Sequence, residues 1–274
     1  MCAFERSEKG MEFIMKLQVL LSVMNLDKKD LKKMNITSDC IVINQCGNNS
    51  FEEFENFKIY SYNEKGISKS RNKALKISDG DILLLCDDDV TYNKDYETII
   101  KNEFEKNKDA DIIVFNLESP NRKIRYDKKE KRVHFYNCLR YGAYRVAMKK
   151  KSIADIRFNE KFGSGAKYCN GDDSLFLYDC LKRKLKIYAS SKFIGKVEQS
   201  KSTWFDGYNH RYFFDRGALY CAISKHLYLI IGIYCLLRNK TTYKKVGFLN
   251  AVKYIIEGKR AYLKGKTYND YYDK

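Results

Sequence analysis

Five aspartates in two groups could do chemistry in this chain. Asp87, Asp88 and Asp89 follow directly on the apolar run Asp81 to Cys86 (DILLLC), which puts three carboxylates at the end of a buried strand. Adjacent carboxylates repel and raise one another's pKa unless a cation neutralises them. A divalent ion meets that need: Mg2+ or Mn2+ prefers oxygen ligands, retains water and phosphate oxygens, and needs only one or two protein carboxylates. Asp172 and Asp173 form the second group, behind glycines at 163, 165 and 171 that let the backbone approach a ligand. A helix is expected from about Ser174. One of the two acids can cap it, and the other is then expected to act as a general base. A third segment, Gly66 to Asn72 (GISKSRN), sets Lys69 and Arg71 at a helix start, where backbone donors and positive charge can hold phosphate. Its glycine spacing matches neither a P-loop nor a dinucleotide fingerprint.

The elements that must position these groups are legible as runs and stripes. Leu17 to Met24, Cys40 to Ile43, Asp81 to Cys86 and Asp111 to Leu117 are apolar without alternation, as strands covered on both faces are. Helical patterns lie between them, at Ser68 to Ile77 and at Asp95 to Lys106, where Tyr96, Ile99, Ile100 and Phe104 share one stripe. That rhythm predicts a mostly parallel, doubly wound α/β sheet with its crevice beyond the carboxyl ends of the strands. Glu118 to Arg132, polar and holding the lone proline, is expected to be an exposed loop. Tyr144 to Met148 and Lys186 to Ala189 read as short strands, and Leu175 to Leu181 as a buried helix. Two apolar helical stretches follow, Tyr212 to Leu237 and Val246 to Leu263. The division expected is a catalytic unit over 11–205 and a basic helical extension over 206–274.

Charge sharpens that division. Of the net charge of +17, residues 181–274 carry +14, from 20 Lys/Arg against 6 Asp/Glu. A basic tail suits nucleic acid, an anionic membrane surface or a phosphate-bearing substrate. Leu227 to Leu237 is the most hydrophobic window, but it falls short of the roughly 18 residues a bilayer span needs. It is expected to pack as a core helix or to lie on a membrane between cations. Nine cysteines with no C-x-x-C pair, several inside apolar runs, fit reduced thiols in a reducing compartment. The opening ten residues carry charges of both signs and lack a secretory signal's apolar stretch. The expected location is cytoplasmic, with peripheral contact to the inner face of the membrane.

The segment Ser68 to Asp89 (SKSRNKALKISDGDILLLCDDD) resembles the inverting glycosyltransferases of family 2, which have the GT-A fold. An S-R-N helix, a small polar turn with glycine, an apolar strand and a D-x-D occur here in the family's order, and the similarity runs over about residues 17–205. The resemblance implies a mixed, doubly wound GT-A sheet with the helical extension appended. It places Asp87 near the ribose or sugar of the donor with Asp88 beside it, and Asp89 on a metal, Mg2+ or Mn2+, that bridges the diphosphate with help from Asp87. Lys69 and Arg71 would help hold the nucleotide. GDDSLF (Gly171 to Phe176) is similar to the family's G-E-D motif, which makes Asp173 the base and turns Asp172 to the acceptor. Ser202-Thr-Trp-Phe looks like the aromatic motif of bacterial capsule and surface-polysaccharide members, with Trp204 able to stack on a sugar.

Two departures bear on the donor. Asn44-Gln45 stand where members often place a base-reading aspartate, and their amides can still serve uracil, so a UDP-sugar is favoured. The first strand ends in Val23-Met24-Asn25, without the common base-stacking ring. The implied acceptor is a saccharide, free or carried on a polyprenyl diphosphate, and no nucleic acid is expected. His210 is a candidate for a late metal ligand. Two other readings compete: a palm-type polymerase, whose Gly-Asp-Asp turns a hairpin between strands, and a basic nucleic-acid binder with its 22 tyrosines exposed.

Overall fold

The computed structural model describes residues 15–120, 125–198 and 207–272. Among them one mixed sheet runs in the order β3-β4-β2-β1-β5-β9-β7-β10-β6, with β8 paired to β10. Its strands are β1 (Leu17–Met24), β2 (Asp39–Gln45), β3 (Ser50–Phe54), β4 (Phe57–Tyr62), β5 (Ile82–Asp87), β6 (Val90–Tyr92), β7 (Ile112–Glu118), β8 (Lys131–Arg132), β9 (Val146–Lys149) and β10 (Ile187–Val197). Strands β4, β2, β1 and β5 are parallel, β9 is antiparallel between β5 and β7, and β10 runs parallel to β7. The carboxyl ends of β1, β2, β5 and β7 therefore open on one edge.

The four predicted central strands exist because their runs bury both faces. Residues Leu17 to Val23 of β1 and Ile82 to Cys86 of β5 are all buried, and alternate residues feed two cores. Val19, Leu21, Leu84 and Phe115 face one, with Tyr96, Ile100 and Phe104 of α3 (Tyr96–Lys106). Leu20, Leu83, Leu85 and Val114 face the other, with Ala74 and Leu75 of α2 (Ile67–Ile77) and Phe176 and Leu177 of α4 (Asp172–Lys182). The short α1 (Lys28–Lys33) lies between β1 and β2 in the chain.

The differences from expectation have local causes. The hairpin β3-β4 joins two strands whose outer residues are exposed, so no continuous apolar run announces it. Strand β10 is longer than Lys186 to Ala189 because it continues through bulges to pair with the end of β7 and with β6. The expected loop Glu118 to Arg132 is tied down in its described part: Asn116 accepts from the Asp127 amide at 3.1 Å and donates to its carbonyl at 2.9 Å, which buries Asp127. Trp204 and the Ser202-Thr-Trp-Phe motif lie outside the described residues.

The expected helix Tyr212 to Leu237 is two helices, α5 (His210–Ile223) and α6 (Tyr228–Arg238), separated at Ser224 to Leu227. With α7 (Phe248–Leu263) and the short α8 (Tyr268–Tyr272) they complete the chain. Helices α5 and α7 cross backbone to backbone. A Cβ on Gly217 would sit 2.1 Å from the Ile255 carbonyl oxygen, and one on Gly258 would sit 1.8 Å from that of Phe214, so only glycine fits at this crossing. No helix among the described residues is long and apolar enough to cross a membrane.

Candidate active site

Asp87 is the last residue of β5, and Asp88 and Asp89 make the turn into β6. The Asp89 carbonyl accepts from the Glu198 amide at 2.9 Å, which fixes this turn against the end of β10. Crowding has the expected electrostatic result. Burial pushes the Asp89 carboxyl up to about 7, and the charges of Asp87 and Asp88 add to the effect.

Helix α2 brings the second acid group to this edge. Its Ser68 hydroxyl donates to the Phe162 carbonyl at 2.7 Å, and Ile67 N donates to Ser164 O at 3.0 Å. One turn on, Asn72 accepts from the Phe158 amide at 2.8 Å and donates to its carbonyl at 3.0 Å. Residues 158–164 are thus held to α2 before the chain enters α4. Between these two anchors sits Arg71, buried, with one terminal nitrogen on Asp87 Oδ1 at 2.7 Å and the other on Asp172 Oδ2. A planar guanidinium suits this double duty because its donors diverge at fixed angles. The two acidic clusters, 85 residues apart between Asp87 and Asp172, meet on one side chain.

Gly163 makes the approach possible. Its φ is +108°, and a Cβ there would lie 2.5 Å from Ile67 Cγ2 and 3.0 Å from Asp172 Cγ. Asp172 and Asp173 occupy the first turn of α4, whose N-cap, Gly171, supplies no side-chain cap. Negative charge is favourable in that turn, and Asp173 Oδ1 accepts from Ser174 N at 2.7 Å. Burial nonetheless raises both carboxyls, against the pull of Arg71. Asp172 is 8% exposed, whereas Asp173 is only half-buried. This helix start also removes the palm-polymerase reading, since Gly171-Asp172-Asp173 opens a helix and turns no hairpin.

The remaining candidates sit as follows. Val23 is buried near the end of β1. Asn44 accepts from Leu26 N at 3.0 Å and donates to Ser61 Oγ at 3.1 Å, while Gln45 Oε1 accepts from Gly66 N at 2.6 Å. Both amides thus brace the loops around the crevice. Lys69 is exposed on the first turn of α2. The His210 ring nitrogens pair with the Tyr272 hydroxyl at 2.8 Å, the Tyr268 hydroxyl at 3.2 Å and Glu257 at 3.4 Å, and the ring packs on Tyr254.

Two neighbours of the acids escaped the sequence reading. Tyr144 lies within charge range of Asp87, Asp89 and Asp173, delivered by a 3-10 turn, Ala143–Arg145, that leads into β9. Arg216 of α5 lowers Asp173 electrostatically and donates to the Tyr212 hydroxyl at 3.2 Å. Neither belongs to a motif, so only the fold could reveal them.

A metal can be tested against this donor set. Among the described residues no three His, Cys, Asp or Glu side chains form a ready-made cluster. The acids Asp87 and Asp89 do fit a hard divalent ion, because crowded carboxylates lack a cation at Asp89 and two such ligands suffice when phosphate and water fill the shell.

Residues 45–162 match the model of "Glycosyl transferase family 2". The match runs from the end of β2 to Phe162, less than half of the chain, and is a likeness over that stretch. No curated protein matches it. Among solved structures, S. aureus TarS 1–349 in complex with UDP-GlcNAc aligns with a TM-score of 0.61 at 14% identity, over 93% of each chain. A longer S. aureus TarS structure aligns at 0.58 and 17% identity, over 89% of this chain and 49% of that one. The mannosyltransferase PcManGT from Pyrobaculum calidifontis, in complex with GDP-Man and Mn2+, gives 0.52 at 11% identity, over 92% of this chain and 88% of that one. At such identities the likeness is one of fold: the GT-A architecture is shared.

Proposed function

We propose that this chain is a family 2 glycosyltransferase that transfers a sugar from a nucleotide-diphosphate donor, a UDP-sugar by preference, to a saccharide or lipid-linked saccharide with inversion at the anomeric carbon. The reading rests on Arg71: by pairing with Asp172 and with Oδ1 of Asp87 it joins the two clusters and leaves Asp89, Asp173 and the second oxygen of Asp87 for ligands on the same crevice. Asp173, half-buried and raised by burial, accepts the proton of the attacking hydroxyl. Asp172, tied to Arg71, fixes the start of α4 and so the aim of Asp173. Lys69, exposed at the helix start, is the further cation this reading assigns to the phosphates. Asp87 and Asp89 would hold a divalent ion, which supplies, when bound, charge neutralisation of the departing diphosphate. The association of UDP-GlcNAc with TarS and of GDP-Man and Mn2+ with PcManGT supports donors of this class.

The decisive experiment is a panel of nucleotide sugars with Mn2+ and purified protein, read as nucleoside diphosphate release. One donor should be consumed well above the rest, with the rate lost in D89N. Equal inertness toward every donor would overturn the reading.

Residues 11–205 form the catalytic unit of this proposal, and 206–274 the extension that meets an anionic membrane at the inner face, where surface-polysaccharide acceptors are carried. Leu227, Ile230, Tyr234 and Leu237 are exposed along α6, beside Arg238, Lys240, Lys244 and Lys245. An apolar stripe bordered by cations suits an interfacial helix. Flotation with anionic vesicles at low salt should carry the protein upward; protein that stays at the bottom at every salt concentration refutes this part.

A further inference from the structure

Arg145 is buried at 5% exposure, yet its Nε and one terminal nitrogen are enclosed without a hydrogen-bond partner among the described residues. No carboxylate among them pairs with it. An arginine cannot shed its proton, so its charge remains, and a buried unpaired charge is costly unless a ligand answers it. Its guanidinium lies 5.3 Å from the centre of the Tyr141 ring, which Arg140 also covers at 4.6 Å. Asp127, the buried acid nearby, is already committed to Arg140 and to Lys131.

The location gives the surplus charge a meaning. Arg145 closes the 3-10 turn before β9, and the register of β9, extended by one or two residues, sets it opposite Cys86, the residue before Asp87 at the carboxyl end of β5, and opposite Phe115 in the middle of β7. Its neighbour Tyr144 senses Asp87, Asp89 and Asp173 as well as Arg145 itself. The preceding 3-10 turn, Cys138–Arg140, touches the start of α4, where Leu139 O accepts from the Ser174 hydroxyl at 3.3 Å. This is the side of the crevice that carries Asp173, across β5 from β1 and β2.

We propose that Arg145 binds an oxyanion, phosphate or carboxylate, carried by the acceptor and holds it while the acceptor hydroxyl faces Asp173. The inference rests on the glycosyltransferase reading above and adds the chemical class of acceptor: an anionic one. A guanidinium fork binds such a group with two parallel hydrogen bonds.

The test is calorimetric titration of protein saturated with UDP and Mg2+, using two charged probes against their neutral counterparts: glycerol 1-phosphate against glycerol, and glucuronate against glucose. One charged probe should bind about tenfold or more tighter than its counterpart, as hydrogen bonds to a charged group allow; which one it is identifies phosphate or carboxylate. R145Q should erase that preference while UDP affinity stays within about twofold, and R145K, which keeps charge without the fork, should retain part of it. The proposal is overturned if wild-type protein shows no preference, if R145Q keeps it, or if R145Q and R145K weaken UDP in parallel, which would assign Arg145 to the donor. Should UDP fail to bind wild-type protein, the glycosyltransferase reading fails on its own, and the same titration without UDP and metal still decides the role of Arg145.

Discussion

The two acidic clusters reach the same crevice by opposite routes. Asp87 to Asp89 ride on β5, a strand hydrogen-bonded on both sides, so local sequence and sheet register suffice to deliver them. Asp172 and Asp173 arrive on a helix start that nothing local aims. Their position depends on α2, whose Ser68, Arg71 and Asn72 each bind a different part of the incoming segment. The lesson is a division of labour within each cluster. Arg71 takes the buried acid Asp172 and the strand-end acid Asp87, and the acids it does not touch keep contact with solvent and hence with ligands.

That contrast can be broken most forcefully at the base. D173N keeps the shape and the Ser174 contact but removes proton affinity, so transfer should fall by about 10²- to 10⁴-fold, the range of a general base. UDP affinity in the presence of Mn2+ should be nearly unchanged. Turnover near that of the wild type in a diphosphate-release assay would remove Asp173 from the chemistry.

Next in size is the bridge. R71M strands Asp87 and Asp172 together without their cation, and breaking a buried pair from one side costs about 3–5 kcal/mol. Chemical denaturation should show this loss, and the double variant R71M/D172N should recover part of it because one of the orphaned charges is gone. Additive losses in that cycle would mean that the two clusters are not joined through Arg71.

Gly163 is a smaller test of the same joint. G163A forces a Cβ into a positive φ and against Asp172 and Ile67, a strain of about 1–3 kcal/mol. Because the pressure falls on the second cluster, metal-dependent UDP binding should survive while turnover drops. An equal loss of both would show that Gly163 supports the whole crevice.

How much of this was legible follows the same divide. The apolar runs of β1, β2, β5 and β7 and the stripe of α3 come directly from the sequence, since burial on both faces of a strand or on one face of a helix leaves a period to read. The acids of β5 were legible for that reason. Arg71 was visible as a residue, but its partners were not: a cation in a helix start suits phosphate as well as carboxylate, and only the return of the chain through Phe158 to Ser164 chooses. Tyr144, Arg145 and Arg216 were silent because none of them belongs to a motif whose spacing marks it. The helix break at Ser224 to Leu227 falls on the polar triplet Ser224-Lys225-His226, a signal outweighed by the apolar runs on either side of it.

The subtlest difference between the clusters is in titration. Burial raises the Asp173 carboxyl in the folded protein, opposed by Arg71 and Arg216. A base works only when ionised, so activity should be lost as pH falls through a value above the ordinary carboxylate range, and should be flat well above it. The stability term has the opposite sense: an acid raised on folding favours the folded state at low pH, and that contribution fades as pH rises through the raised value. Removing one of the two opposing cations should therefore shift the limb in a known direction. R216Q leaves Asp173 more reluctant to ionise, so the acidic limb of the kcat profile should move to higher pH, with the plateau rate at high pH largely kept. A limb that moves downward, or one that stays fixed while the plateau collapses, would mean that Arg216 serves packing around Tyr212 and not the charge of the base.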